Sequence, residues 1–285
     1  MNKEAIARTA ESVEIMGEYL KTVLNGKKLW ENTHVKKQIE KREQGEHFTI
    51  SDHIRGMVYA MLSSGISWER VEKDIDESTG RILSIDKIFQ NYDADTLLSC
   101  SVETLKEEIK VQRLAGISTN NQLKGLIPDN IRKLKQWKDT FGSIDSYYKR
   151  FIEKDSSYQT LIETLSQSDS ENKMKQLSEA LTAEYLRNVG YDLAKPDRHV
   201  RRILGNSILA CSEQEIVPVF EAMEIVREIA DILNRHVAEV DYILWSYCAT
   251  GYGEICTSRR PLCCDCVIRK YCRNGQEKPC QKMKS

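Results

Sequence analysis

The stretch CTSRRPLCCDCVIRKYC, residues 256–272, places five cysteines and four basic residues in seventeen positions. The whole chain has 285 residues and nine cysteines. A disulfide framework suits much shorter secreted chains, so five clustered cysteines point to metal instead. The spacing is Cys256-x6-Cys263-x2-Cys266-x5-Cys272, one CxxC pair with a cysteine on either side. Structural zinc usually takes two short knuckles separated by a longer stretch. A compact loop suits a larger inorganic cluster, whose corners need four separately placed thiolates. Spacing by itself leaves both metals open.

The rest of the chain reads as helical. Charged residues make up 30% and aromatics 7%, with only five prolines and fourteen glycines. Few breakers and abundant Lys, Glu, Leu and Ala predict an all-α protein. No run of about eighteen apolar residues exists, which predicts no membrane partner. The first twenty residues lack a signal-peptide core, so the expected location is cytoplasmic, associated with the nucleoid. Within ISDHIRGMVYAMLSSG, Ser51 is a candidate N-cap, and Ile54, Met57, Val58, Met61 and Leu62 form one apolar face. HVKKQIEKREQGEH is too charged for a core, and GISTNNQLKG reads as a polar loop. Ser178 is a candidate N-cap and Gly190 a helix stop in SEALTAEYLRNVG.

Net charge is −1, yet basic residues are unevenly placed. Residues 256–285 hold eight Lys or Arg against Asp265 and Glu277. KPDRHVRR groups Lys195, Arg198, Arg201 and Arg202 around Asp197 and His199. Local patches of this kind, more than net charge, set affinity for phosphates. Pro196 is a natural first-turn residue, so Asp197 should lie at or inside a helix N-terminus, where free N–H groups favour an ionised carboxylate.

The cysteine spacing near the C-terminus resembles the [4Fe–4S] loop of the endonuclease III family of DNA glycosylases. VDYILWSYCATGYGEIC looks like the helix leading into that loop, and Pro261 fits the same pattern. LRNVGYDLAKPDRHVRRILG is similar to the segment in which this family carries its catalytic Asp. The resemblance implies that Cys256, Cys263, Cys266 and Cys272 hold a [4Fe–4S] cluster and that Asp197 is catalytic. Cys264 is then an extra thiol, and Cys248 and Cys280 are unliganded. The implied cluster role is structural: a rigid loop presents Arg259 and Arg260 to phosphates, with Lys195, Arg198 and Arg202 as further DNA contacts. Asp197 would stabilise oxocarbenium charge at C1′ and orient a water.

The resemblance loosens toward the N-terminus. Many members offer a Gln to the gap left by the flipped base, where Gly65 stands here. Ile117 is the candidate for a wedge residue. The family's Gly-rich hairpin, whose amides hold a phosphate, corresponds to MKQLSEALTAEYL, which has no glycine. The lysine of strand-cleaving members has Leu181 or a neighbour in its place, with Lys173 and Lys175 more than a turn too early.

The expected architecture is two helical domains flanking a DNA-binding cleft. Residues 1–50 would pack on the cluster domain, 51–190 would form a six-helix domain with a degenerate helix-hairpin-helix, and 191–285 would carry the cluster. The expected function is a monomeric, monofunctional DNA glycosylase of base-excision repair. Its partner would be double-stranded DNA containing a damaged or mismatched base. The alternatives are a non-catalytic lesion-binding or architectural protein, and an enzyme processing an unusual base on the same scaffold.

Overall fold

The computed structural model describes residues 1–64, 66 and 68–277. Gly65 and Cys280, together with Lys278, Lys282 and Lys284 of the basic tail, lie outside the described residues. Among the described residues the chain is all-α, with one isolated bridge between Ile75 and Ile82. None of these helices is long and apolar enough to cross a membrane.

The helices in chain order begin with α1 (Lys3–Val23), α2 (His34–Glu43), α3 (Ile50–Leu62) and α4 (Trp68–Glu72). They continue with α5 (Leu83–Ile88), α6 (Ala94–Ser99), α7 (Val102–Val111) and α8 (Thr119–Lys124). Then come α9 (Ile131–Phe141), α10 (Ile144–Ile152), α11 (Gln159–Ser166) and α12 (Glu179–Asn188). The last are α13 (Arg198–Ile203), α14 (Val219–Leu233), α15 (Val237–Cys248) and α16 (Arg273–Glu277). They divide into two compact units, residues 1–30 with 192–285, and residues 31–191.

The contiguous unit, 31–191, is organised around α3. Its cap is Thr49 rather than Ser51: the Thr49 hydroxyl accepts from Asp52 N, and the Asp52 carboxylate accepts from Thr49 N in return. This reciprocal pair satisfies two orphan donors, which a lone Ser51 could not do. The apolar face read from sequence is buried, and so are Tyr59 and Ala60 beside it. Gly56 sits where α3 crosses α12, and a Cβ there would lie 2.8 Å from Val189 Cγ1. Removing that carbon lets the helices approach closely enough for Asn188 Nδ2 to reach Gly56 O at 3.2 Å. Gly190 ends α12 with φ +81°, and a Cβ there would fall 2.3 Å from Gln38 O. Both its backbone angle and the lack of space require glycine.

Residues 31–50 pack in this unit, not with residues 192–285 as expected. The reason is α2, whose Val35 and Ile39 are buried one turn apart beside His34 and Gln38. Two apolar side chains sufficed to anchor a helix that its charge count assigned to the surface. GISTNNQLKG contains α8, whose Leu123 and Gln122 are buried. The unit thus holds eleven mostly short helices, α2 to α12, among the described residues, where six were expected.

A polar network also runs through this core. His53 Nδ1 lies 2.7 Å from Tyr185 OH, which is 2.9 Å from Tyr148 OH. Tyr191 OH and Arg42 both donate to Asp145 Oδ1. Burial pushes the Asp145 carboxyl up, but hydrogen bonding to His53 and the Arg42 guanidinium more than offset it and hold it well below the usual range.

In the other unit, α1 buries Ala5, Ile6, Val13 and Met16 against α14 and α15. Helix α13 packs on α14 and α15. Asp192 enters the unit by capping α15, its carboxylate accepting from Val237 N at 3.1 Å and Ala238 N at 2.9 Å. These contacts fix the frame on which Asp197 and the cysteine loop stand.

Candidate catalytic carboxylate and cysteine loop

Asp197 is the N-cap of α13, as Pro196 before it led one to expect. Its Oδ1 accepts from His199 N at 2.7 Å and Val200 N at 3.1 Å. Oδ1 takes both bonds, and Oδ2 accepts none from the described residues. The side chain is half-buried. One oxygen is therefore anchored by two amides while the other remains available to a ligand.

Five residues on, Arg202 turns back toward the cysteine loop. Its Nη1 lies 3.6 Å from Cys256 Sγ, and its Nη2 donates to the Cys256 carbonyl. Arg202, a candidate DNA contact, is thus engaged with Cys256 in the structure. The physical reason is the face of α13 that packs on α15, which carries Arg202 to the point where the chain leaves α15 for the loop. Arg201 is also engaged, donating from Nε to Val217 O at 2.5 Å.

The loop itself contains little regular structure and is held by side chains. Tyr247 OH, on α15, lies 3.3 Å from Cys266 Sγ. Gly275 N donates to Cys272 Sγ at 3.3 Å. Arg273 N and Asn274 N donate to Ile208 O and Ser207 O, and Tyr271 OH reaches Glu11 on α1 at 3.0 Å. Buried Cys248 hydrogen-bonds Cys256, and that bond, helped by Arg202, pulls the Cys256 thiol down. Burial pushes the Cys266 thiol up, and that of Cys272 up to about 11. Cys264, read as an extra thiol, is disulfide-bonded.

Cys256, Cys263, Cys266 and Cys272 lie within electrostatic range of one another. Among the described residues no three His, Cys, Asp or Glu side chains gather as a single metal ion requires. Four cysteines in one short segment, with a guanidinium, a phenol and an amide reaching the sulfurs of Cys256, Cys266 and Cys272, are a donor set of the kind that four-thiolate clusters use. Hydrogen bonds to cluster sulfurs of this kind are an established lever on such sites.

Of the other candidate contacts, Lys195 is half-buried and Arg198, Arg259 and Arg260 are exposed. Arg259 and Arg260 form no ion pair among the described residues, so their charges are available. Ile117 belongs to the contiguous unit, between α7 and α8, with its side chain fully solvent-exposed at 104%. The Gly-free hairpin between α11 and α12 is held by Asn130, which is buried. Its Oδ1 accepts from Lys175 N at 2.7 Å and its Nδ2 donates to Lys175 O at 3.0 Å. Sequence reasoning missed Asn130, because nothing local marks an asparagine that pairs with a backbone 45 residues away.

No protein-family model and no curated protein matches the chain. Among solved structures, it is similar to a Methanocaldococcus jannaschii 8-oxoguanine glycosylase/lyase in complex with a 15mer DNA containing 8-oxoguanine. That similarity has a TM-score of 0.48 and 18% identity, covering 81% of this chain and 96% of the other.

Proposed function

We propose that the chain is a DNA glycosylase of base-excision repair, hydrolysing the N-glycosidic bond of a flipped damaged or mismatched base. The observation that carries this reading is the Arg202–Cys256 contact. It joins the helix capped by Asp197 to the first cysteine of the loop, two motifs that the sequence resemblance assigns to one enzyme. Cys256, Cys263, Cys266 and Cys272 would hold a [4Fe–4S] cluster, which when bound serves as a template that fixes the loop. Arg259 and Arg260 then meet backbone phosphates from a rigid position.

Asp197 is suited to the chemistry. With Oδ1 fixed by two amides, Oδ2 can stabilise positive charge developing at C1′ or orient a water toward it. The strand is expected to stay intact, since strand cleavage needs an amine that attacks C1′. Lys175 Nζ is paired with Asp129 at 2.6 Å, and Lys173 Nζ donates to Ser166 O. A non-catalytic lesion-binding module is the second reading, favoured by the capping bonds, which by themselves account for an Asp at position 197.

Release of free base from duplexes carrying single oxidised, alkylated, deaminated or mismatched bases separates the two. Asp197→Asn should cut release by about 10²–10³-fold. Its melting temperature should stay unchanged, because Asn caps a helix as well as Asp. Undiminished release by this variant, or no release from any duplex, overturns the catalytic reading. Borohydride trapping of a covalent adduct would show that the enzyme also cleaves the strand.

A further inference from the structure

A concave pocket of ≈ 610 Å³ lies in the contiguous unit, apart from every motif considered so far. Arg70 and Lys73 come from α4 and the turn after it, Ser84 from α5, and Lys110 and Arg113 from the end of α7. The only carboxylate lining it is Asp74, whose Oδ2 already accepts from Ser84 N at 2.7 Å. Four cations thus surround one engaged anion. Arg70 and Arg113 form no ion pair among the described residues, and Lys110 meets only Glu107, at 3.3 Å with both side chains mostly exposed. Exposed pairs of that kind contribute little and leave the ammonium free to exchange partners.

Arg113 is the informative residue. It follows α7 with φ +59°, its N bonded to Lys110 O and the next amide, Leu114 N, to Ile109 O. That is a Schellman ending, in which the left-handed position is usually glycine. An arginine there is unfavourable by about 1 kcal/mol. Favourable interaction with the helix C-terminus does not require it, because Lys110 already supplies a cation in the last turn. From this left-handed position Arg113 lines the pocket, and four residues later stands exposed Ile117.

We propose that this pocket is a phosphate site through which the contiguous unit grips the DNA backbone, with Arg70 and Arg113 as its principal ligands. The inference rests on the reading of the chain as a DNA-binding enzyme, and it assigns a contact surface that neither the cysteine loop nor the Asp197 segment supplies. Guanidinium groups suit it because they meet phosphate oxygens in bidentate fashion.

The test uses full-length, cluster-loaded protein and an undamaged duplex, with affinity followed against salt. Arg70→Ala with Arg113→Gly should weaken binding and lower the slope of log K against log salt by about 1.8, or 0.9 for each lost phosphate contact. Arg113→Gly alone should melt no lower than the parent, since glycine relieves the left-handed strain, so its binding loss cannot be laid to unfolding. An unchanged slope overturns the proposal. Pyrophosphate provides the other arm, monitored by ³¹P line broadening without DNA. If it binds the parent and not the double variant while the duplex slope stays constant, the pocket serves a small phosphorylated molecule and the DNA assignment falls. Failure of the glycosylase reading is distinguishable: a protein that releases no base yet shows the altered slope keeps this site.

Discussion

The cysteine loop and the hairpin between α11 and α12 solve one problem in different ways. Each must hold an irregular backbone still. The hairpin does so within its own unit, through buried Met174 and Leu177 and through Asn130, whose two hydrogen bonds stand in for glycine-rich backbone packing. The loop draws its anchors from α1, α13, the segment after α13, α15 and α16, and three of them, from α13, α15 and α16, are directed at sulfur. A segment fixed by contacts within its own unit fails locally when one of them is removed. A segment fixed by many, around a shared group, fails as a whole when the group is lost.

The largest effect should therefore come from the loop. The purified protein is expected to be brown and to contain about four irons per chain. Cys263→Ser or Cys266→Ser should bleach the visible absorption and remove solubility and duplex binding together. A colourless, fully active protein with one zinc would break the comparison at its root. In the hairpin, Asn130→Ala should destabilise the protein by about 2 kcal/mol, the worth of two partly buried hydrogen bonds. Urea unfolding reads this directly, and iron content should not change. Loss of iron in Asn130→Ala would mean that the two regions are not independent.

The smallest expected effect lies on the loop's outer face. Removing the charges of Arg259 and Arg260 should leave the unfolding free energy within about 0.5 kcal/mol of the parent's. It should weaken all duplexes about equally and reduce the salt slope by about 1.8. Affinity lost only for lesion-containing duplexes would move these arginines from positioning to recognition.

Legibility in the sequence followed how local each signal was. The clustered cysteines and the Pro196–Asp197 pair are defined by residue type at short spacing, so the helix start at Asp197 could be read directly. The apolar face of α3 was legible because five apolar residues recur at helical period. Helix α2 was not, since its burial rests on Val35 and Ile39 amid charge. Helix α8 was hidden by its polar composition. The contact of Arg202 with Cys256 was not legible, because the two residues are 54 positions apart. The basic pocket draws on three separated segments, and no window of sequence contains it.

The division of the chain has a consequence for its biosynthesis. Helix α1 leaves the ribosome before the helices that cover its apolar face, α14 and α15, which follow only after the contiguous unit has been made. At ordinary translation rates, the roughly two hundred residues between α1 and α14 take about 10–40 s to synthesise. Throughout that interval Ile6, Val13 and Met16 have no cover from their native partners, while residues 31–191 can already fold. The nascent chain thus offers the uncovered face of α1 to chaperones and proteases, and slower elongation through the contiguous unit lengthens that exposure.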